Sequence, residues 1–269
     1  MNVTPLQKPS SQPLALVDSH AHVDADAFGE DRVEVLERAL NAGVEHIVVP
    51  ATTAARWPVL ASICDAQPAL HAAFGLHPMF LDEHREAHLA SLPAWLHEHK
   101  AVAVGECGLD FHIDDPRPDR QRMYFRRQLD MARELDLPVI VHARKAVEEV
   151  IHSVRKAGPL RGVVHSFSGS REQARQLADL GFLIGIGGPV TYERAKRLRR
   201  TVADIPLDTL LLETDAPDQP DAHHRGQRNE PARLPEILQC IADLRDEDAQ
   251  TIAAATRSNA MRLFGLPDD

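Results

Sequence analysis

Cysteine, aromatic residues and long apolar runs are all scarce in this sequence of 269 residues. The three cysteines, Cys64, Cys107 and Cys240, lack the close spacings of a disulfide framework or a zinc ribbon, so we expect a reducing compartment. No stretch reaches the roughly 18 consecutive apolar residues of a membrane span. Residues 1–13 contain no apolar segment of a secretory signal. We therefore expect a cytoplasmic protein without membrane contact and a mobile tail over residues 1–13.

Positive charge is also in short supply, with 30 lysines and arginines against 40 aspartates and glutamates. The formal net charge of -10 argues against a broad basic face that binds nucleic acid by neutralising many phosphates. A local phosphate site is still compatible with this balance. The length suits one large α/β domain, and we expect a single domain over residues 14–269.

The sequence does contain a regular alternation of short apolar runs with amphipathic stretches. Eight runs rich in β-branched residues predict strands at 14–22, 46–52, 70–78, 101–110, 137–144, 161–167, 182–188 and 208–217. The segments between them, such as 31–43 and 120–136, have apolar positions three and four apart, which is typical of helices. Eight such repeats predict an α/β fold of the closed (β/α)8 type, the TIM barrel. An open doubly wound sheet is the alternative.

Metal-binding and proton-transferring side chains fall at the ends of these runs, where a barrel of this kind carries its catalytic face. Imidazole and carboxylate groups occur there on five strands: His20, His22, Glu106, His142, His165 and Asp215. A single histidine at a strand end is more often structural, but six such groups buried unpaired at one mouth would be costly. We therefore predict a metal centre. Because residues i and i+2 of a strand share a face, His20 and His22 should face one ion, and Cys107 should point away from the mouth.

Six ligands exceed the three that a catalytic zinc ion usually takes from protein, so we expect two divalent ions. Glu106 is the candidate bridge, because a carboxylate can join two ions. The first ion would be held by His20, His22 and Asp215, and the second by His142 and His165. Such mixed ligands suit zinc, manganese, magnesium, nickel or iron and do not identify the metal.

The expected chemistry is attack on phosphorus by a water that two cations make acidic enough to act as a hydroxide. Glu106 and Asp215 are the predicted catalytic residues, with Asp215 as general base and Glu213 as the next candidate for that role. Candidate substrate contacts near the mouth are His77, Arg144, Arg225 and Arg228. Arginine can pair with two phosphate oxygens, although a solvated surface position explains each arginine equally well.

Seven motifs in this order resemble the TatD family of metal-dependent hydrolases: "DSHAHVD", "GLHP", "GECGLDF", "LPVIVHAR", "VVHSFSG", "LLETDAPDQP" and "RGQRNEP". The resemblance covers residues 14–265. It implies a TIM barrel of the amidohydrolase type, a divalent-metal-dependent deoxyribonuclease of exonuclease-like activity, and the same six ligands when the motifs are matched one by one. The segment "DAPDQP" differs from the "DSPY" common in that family, beside the eighth predicted strand.

The leading prediction is therefore a monomeric enzyme that cleaves DNA or a nucleotide-like phosphodiester. The alternative enzyme is a binuclear amidohydrolase that cleaves a C–N bond of a cyclic amide or a nucleobase. Amidohydrolases bridged by a carboxylated lysine would place that lysine where this chain has Glu106. A mononuclear deaminase would leave Glu106 without a role, and a non-catalytic binding protein would have no need of all six ligands.

Overall fold

The structure, a computed structural model, describes residues 14–267. The predicted tail over residues 1–13 lies outside the described residues. Eight strands form one sheet in chain order, and each strand is parallel to the next. They are β1 (Leu16–Asp18), β2 (Val44–Pro50), β3 (Leu70–Phe74), β4 (Ala103–Asp110), β5 (Val139–Arg144), β6 (Gly162–Val164), β7 (Phe182–Ile186) and β8 (Leu210–Leu212).

Helices follow every strand and cover the outside of the sheet. They are α1 (Arg32–Asn41), α2 (Trp57–Asp65), α3 (Glu86–Glu98), α4 (Pro118–Glu134), α5 (Val147–Ala157), α6 (Arg171–Asp179), α7 (Lys196–Asp204), α8 (Leu234–Arg245) and α9 (Ala249–Phe264). The first seven each connect one strand to the next, and two helices follow β8. None of the helices within residues 14–267 combines the length and the apolar character needed to cross a bilayer.

Hydrogen bonds just beyond the strand ends join β8 to β1 and complete the ring. The backbone N–H of Ser19 donates to the carbonyl of Leu212 over 2.9 Å, and that of Asp215 donates to the carbonyl of His20 over 2.8 Å. The Ser19 hydroxyl also donates to Leu212. The predicted (β/α)8 barrel is thus confirmed, and the open doubly wound sheet is excluded.

The inside of the barrel is a small apolar core, separate from the larger core between sheet and helices. One buried side chain from each of seven strands belongs to it: Val17, Val48, Ala73, Ala103, Ile140, Val163 and Leu211. Leu263 and Phe264 at the end of α9 join the same cluster, so α9 closes the end of the barrel at which the strands begin. Polar side chains are left to the opposite opening. Cys107 lies in the outer core and points away from that opening, as predicted.

Six of the eight strands, all but β4 and β5, end earlier than their apolar runs predict, and His165 directly follows the end of β6. The difference is largest for β1, β3 and β8. β1 ends at Asp18 and β8 at Leu212, so His20, His22 and Asp215 lie in the following loops. Asp215 has a φ of 57°, in the left-handed region that strands do not use. The apolar pattern continues past the pairing because these loops are themselves buried. The prediction that strand alternation aligns His20 with His22 is therefore wrong, although the two rings do converge.

Candidate metal centre

All six predicted ligands meet at the open end of the barrel. Three overlapping groups have donor atoms within 4.8 Å of one another: His20, Glu106 and His165; His20, His22 and Asp215; and His77, Glu106 and His142. Glu106 and His20 each belong to two of these groups. The structure therefore brings together the residues that the sequence analysis selected and adds His77 to them.

Glu106 lies at the centre of this cluster, with its side chain only 1% exposed. Its Oε1 faces His77, His142 and His165 at 2.9, 3.0 and 2.8 Å, and its Oε2 faces His20 and His22 at 3.2 and 3.6 Å. Each carboxylate oxygen thus serves a different set of imidazoles. This is the arrangement that a carboxylate shared by two ions requires.

The close approach of β4 and β5 depends on Gly108. Gly108 pairs with His142 in the ladder between these strands, and its φ of 140° favours glycine. A Cβ at this position would lie 2.1 Å from the carbonyl oxygen of His142. The second glycine of "GECG" therefore allows β5 to bring His142 to Glu106.

Asp110 fixes the tautomer of His142. Its Oδ2 lies 2.9 Å from Nε2 of His142, and a carboxylate only accepts, so Nε2 carries the proton. In the neutral ring the lone pair of Nδ1 then faces Glu106 Oε1 at 3.0 Å and His165 Nε2 at 3.2 Å. Histidines that bind metals are commonly oriented in this way by a carboxylate. The sequence analysis missed Asp110, although its place four residues after Glu106 in one strand puts both on one face.

The backbone carbonyl of Pro50 fixes the tautomer of His22. Nδ1 of His22 lies 3.1 Å from the carbonyl oxygen of Pro50, at the end of β2, and must donate to it. The lone pair of Nε2 therefore faces His20 Nε2 at 3.3 Å and Asp215 Oδ1 at 3.6 Å. A lone pair that faces a carboxylate oxygen is stabilised when positive charge lies between the two.

The shifted pKa values of the cluster show how strongly it stabilises positive charge. Burial opposes ionisation of both Glu106 and His165, but their neighbours outweigh it. The imidazoles of His77, His165 and His20 hold the pKa of Glu106 well below its usual value. The carboxylates, Glu106 first, raise the pKa of His165 to about 10. Glu106 Oε2 is also buried without a hydrogen-bond partner among residues 14–267. The donor set therefore fits a divalent cation.

His77 differs from the other histidines of the cluster. Its Nδ1 accepts the backbone N–H of Met79 over 3.1 Å, so the proton sits on Nε2 and is donated to Glu106 Oε1 over 2.9 Å. Burial lowers the pKa of His77 to about 4, which keeps the ring neutral. Both ring nitrogens of His77 are thus engaged, and it has no lone pair free for a metal.

The family model described as TatD related DNase matches residues 17–265. The chain belongs to the TatD family. The uncharacterized metal-dependent hydrolase YjjV of Escherichia coli K12 is 42% identical over 254 residues, which is 93% of this chain and 98% of YjjV. The resemblance predicted from the motifs is confirmed.

A solved structure and a second relative support this membership. The crystal structure of the E. coli K12 YjjV protein matches with a TM-score of 0.90 at 40% identity, and the match covers 94% of this chain and 98% of that chain. A protein of Erwinia tasmaniensis named 3'-5' ssDNA/RNA exonuclease TatD is 36% identical over 259 residues, 93% of this chain and 100% of that protein. Fold and family thus agree along nearly the whole chain.

Gln219 lies in the segment that departs from the common TatD sequence, and it holds Asp215. Its amide donates to Oδ2 of Asp215, while Oδ1 faces His20 and His22 at 3.5 and 3.6 Å. Because the carboxylate only accepts, the amide must turn its oxygen to Ser166, whose hydroxyl donates over 2.9 Å. Gln219 adopts a left-handed conformation with a φ of 49°. No sequence pattern predicts this contact between loop residues.

Two more buried carboxylates, Asp18 and Glu213, accept backbone N–H groups of the loops that carry the ligands. Asp18 accepts the backbone N–H groups of Thr214 and His20 over 3.0 and 3.2 Å, which ties the loop after β8 to the loop after β1. Burial raises the pKa of Asp18 to about 7. Glu213 accepts the N–H of Ser166 and lies 3.8 Å from Nδ1 of His165, and burial raises its pKa to about 8.

The three candidate arginines occupy different environments. Arg144 lines a cavity of about 630 Å³ beside the centre and forms no ion pair with another residue in the described range. Arg225 is exposed and lies outside this cavity. Arg228 donates to both oxygens of Asp31 over 2.7 and 2.6 Å and to Glu230 over 3.0 Å. Since two carboxylates engage its guanidinium, the structure gives no support to the predicted substrate contact of Arg228.

Proposed function

We propose that this protein is a divalent-metal-dependent phosphodiesterase that removes nucleotides from the end of a nucleic acid strand. The cluster around Glu106 carries this proposal, because His22 and His142 turn their lone pairs toward carboxylate oxygens in its centre. One ion would be held by His20, His22 and Asp215, the other by His142 and His165, with Glu106 shared. The name of the Erwinia relative supports a single-stranded DNA or RNA substrate.

The bound ions would supply an acidified water and neutralise charge on the phosphoryl oxygens. Residues of the chain would accept the proton and bind the phosphate. Asp215 would accept the proton of the attacking water, because its Oδ1 faces the imidazoles of the centre and the residue lines both neighbouring cavities. His77 would orient Glu106 through its Nε2–H, and Arg144 would pair with phosphate. A direct contact of His77 with substrate stays a prediction of the sequence. Zinc, manganese, magnesium, nickel and iron all suit these ligands.

The amidohydrolase alternative has less support. A lysine-bridged centre is incompatible with Glu106, whose carboxylate already contacts five imidazoles. An arginine without an ion-pair partner beside the centre suits a charged phosphate better than a neutral cyclic amide. Cytoplasmic location and a monomeric state stay predictions of the sequence.

Replacing Arg144 with alanine should raise KM for a single-stranded oligonucleotide by about tenfold or more, because a hydrogen bond to a charged group contributes about 1.5 to 3 kcal/mol. Metal content should not change, since Arg144 is not a ligand. The matched control is Arg225→Ala, which removes an exposed arginine outside the cavity. Steady-state kinetics with metal analysis measures both effects. Equal KM values for the parent and Arg144→Ala would show that Arg144 is a solvated surface residue that does not contact the substrate.

A further inference from the structure

Two cavities meet at the centre and divide the mouth of the barrel. The first, of about 370 Å³, lies over the loops after β1, β2, β3 and β8. The second, of about 630 Å³, lies over the ends of β5 to β8 and contains Arg144. Both are lined by Met79, His142, His165, Asp215 and Asp218. A substrate that reacts at the centre can therefore extend into two separate spaces.

The two cavities differ in charge. In the first, the only arginine, Arg56, is already paired with Asp24 and Asp26 at 3.4 and 2.8 Å, so the two carboxylates outweigh it. In the second, Arg144 is accompanied by the hydroxyls of Ser166 and Ser168. Phosphate is therefore favoured in the second cavity and disfavoured in the first.

The first cavity instead offers an apolar surface. Met79 and Phe80 stand side by side in a short 3₁₀ turn after β3, and they are 45% and 36% exposed. Phe80 lines the first cavity only, whereas Met79 lies between the two and lines both. The ring of Phe80 lies 5.7 Å from that of His77, which contacts Glu106. The remaining large apolar side chains that are exposed in the described range, Val33, Leu40, Val59 and Leu135, line neither cavity. The apolar surface is thus confined to the centre.

We propose that Met79 and Phe80 form a platform on which the base of the terminal nucleotide stacks. This inference rests on the proposed phosphodiesterase function and assigns to it the residues that bind the terminal base. Stacking accepts every base and requires an unpaired one. The acidic surroundings of the platform disfavour a second phosphate, so the cavity holds one nucleoside while the strand continues past Arg144. The preferred substrate is a frayed or single-stranded end, read without regard to sequence.

The test compares Phe80→Ala with the parent on two oligonucleotides, one with ordinary ends and one with an abasic nucleotide at both ends. A phosphorothioate version of each gives Kd without cleavage. On ordinary ends Phe80→Ala should weaken binding by between about 5-fold and 150-fold. On abasic ends it should have no effect, and the parent should bind as weakly as the variant. Phe80→Trp should restore binding, and Leu135→Ala, an exposed apolar residue outside both cavities, should change nothing.

An equal loss on ordinary and abasic ends, or no loss on ordinary ends, would overturn the platform. The binding measurement separates this outcome from failure of the proposed function. Binding that depends on the terminal base, with no cleavage under any divalent metal, would support the platform and contradict the phosphodiesterase. Cleavage of the oligonucleotide, with a Kd that does not depend on the terminal base, would support the phosphodiesterase and contradict the platform.

Discussion

Glu106→Ala should deplete both metal positions and reduce phosphodiester cleavage to the background of the assay. The reason is the position of this carboxylate, which contacts three imidazoles through one oxygen and two through the other. Removing it takes the shared negative charge from both groups of ligands at once. Metal content by mass spectrometry, compared with turnover on a single-stranded oligonucleotide, measures the effect.

The matched comparison is His142→Ala, which removes a ligand of one group only. We expect it to deplete mainly one ion, with the group around His20 and His22 still occupied. Thermal unfolding of both variants shows whether the barrel is intact. Two full equivalents of metal in Glu106→Ala would contradict the shared carboxylate.

Asp215→Asn should lower turnover by about 10² to 10⁴ at saturating metal, the usual contribution of a general base. Asparagine keeps the size of the side chain and one ligating oxygen but loses the charge and the proton acceptor. Gln219 adds a second effect. Its amide donates to Oδ2 of Asp215, so the asparagine would turn its own oxygen to Gln219 and its NH2 toward His20 and His22. Metal affinity should therefore fall as well.

The two effects of Asp215→Asn can be separated by measuring turnover as a function of metal concentration. Weaker ligation shifts the midpoint of this curve, and loss of the base lowers its plateau. A plateau at the parental value would make Asp215 a ligand only. Glu213 would not replace it easily, because it lies behind His165 and lines neither cavity.

The sequence predicts the barrel and its ligands because both follow from regular patterns. Eight apolar runs alternate with helical periodicity, and the polar residues follow those runs, so the parallel sheet brings them to one end. The same pattern misplaces the ends of β1 and β8. Hydrophobicity reports burial, and residues such as Ala21, Val23 and Ala216 are fully buried in loops without strand pairing.

What the sequence does not predict depends on contacts between distant or irregular segments. Arg228 is neutralised by Asp31, which lies 197 residues earlier in the chain. The tautomer of His22 depends on the carbonyl of Pro50, and the orientation of Asp215 on Gln219. Each partner follows from the path of a loop, which residue spacing does not define. Asp110 is the exception, because spacing in β4 could have revealed it.

Titration of divalent metal into metal-stripped protein, followed by release of nucleotides from a single-stranded oligonucleotide, tests the central claim most directly. We expect no turnover in chelator and a rise to a plateau at about two equivalents of metal per chain. Full turnover in chelator would contradict it. So would tight binding of metal by a protein that cleaves a cyclic amide such as dihydroorotate and leaves the oligonucleotide intact.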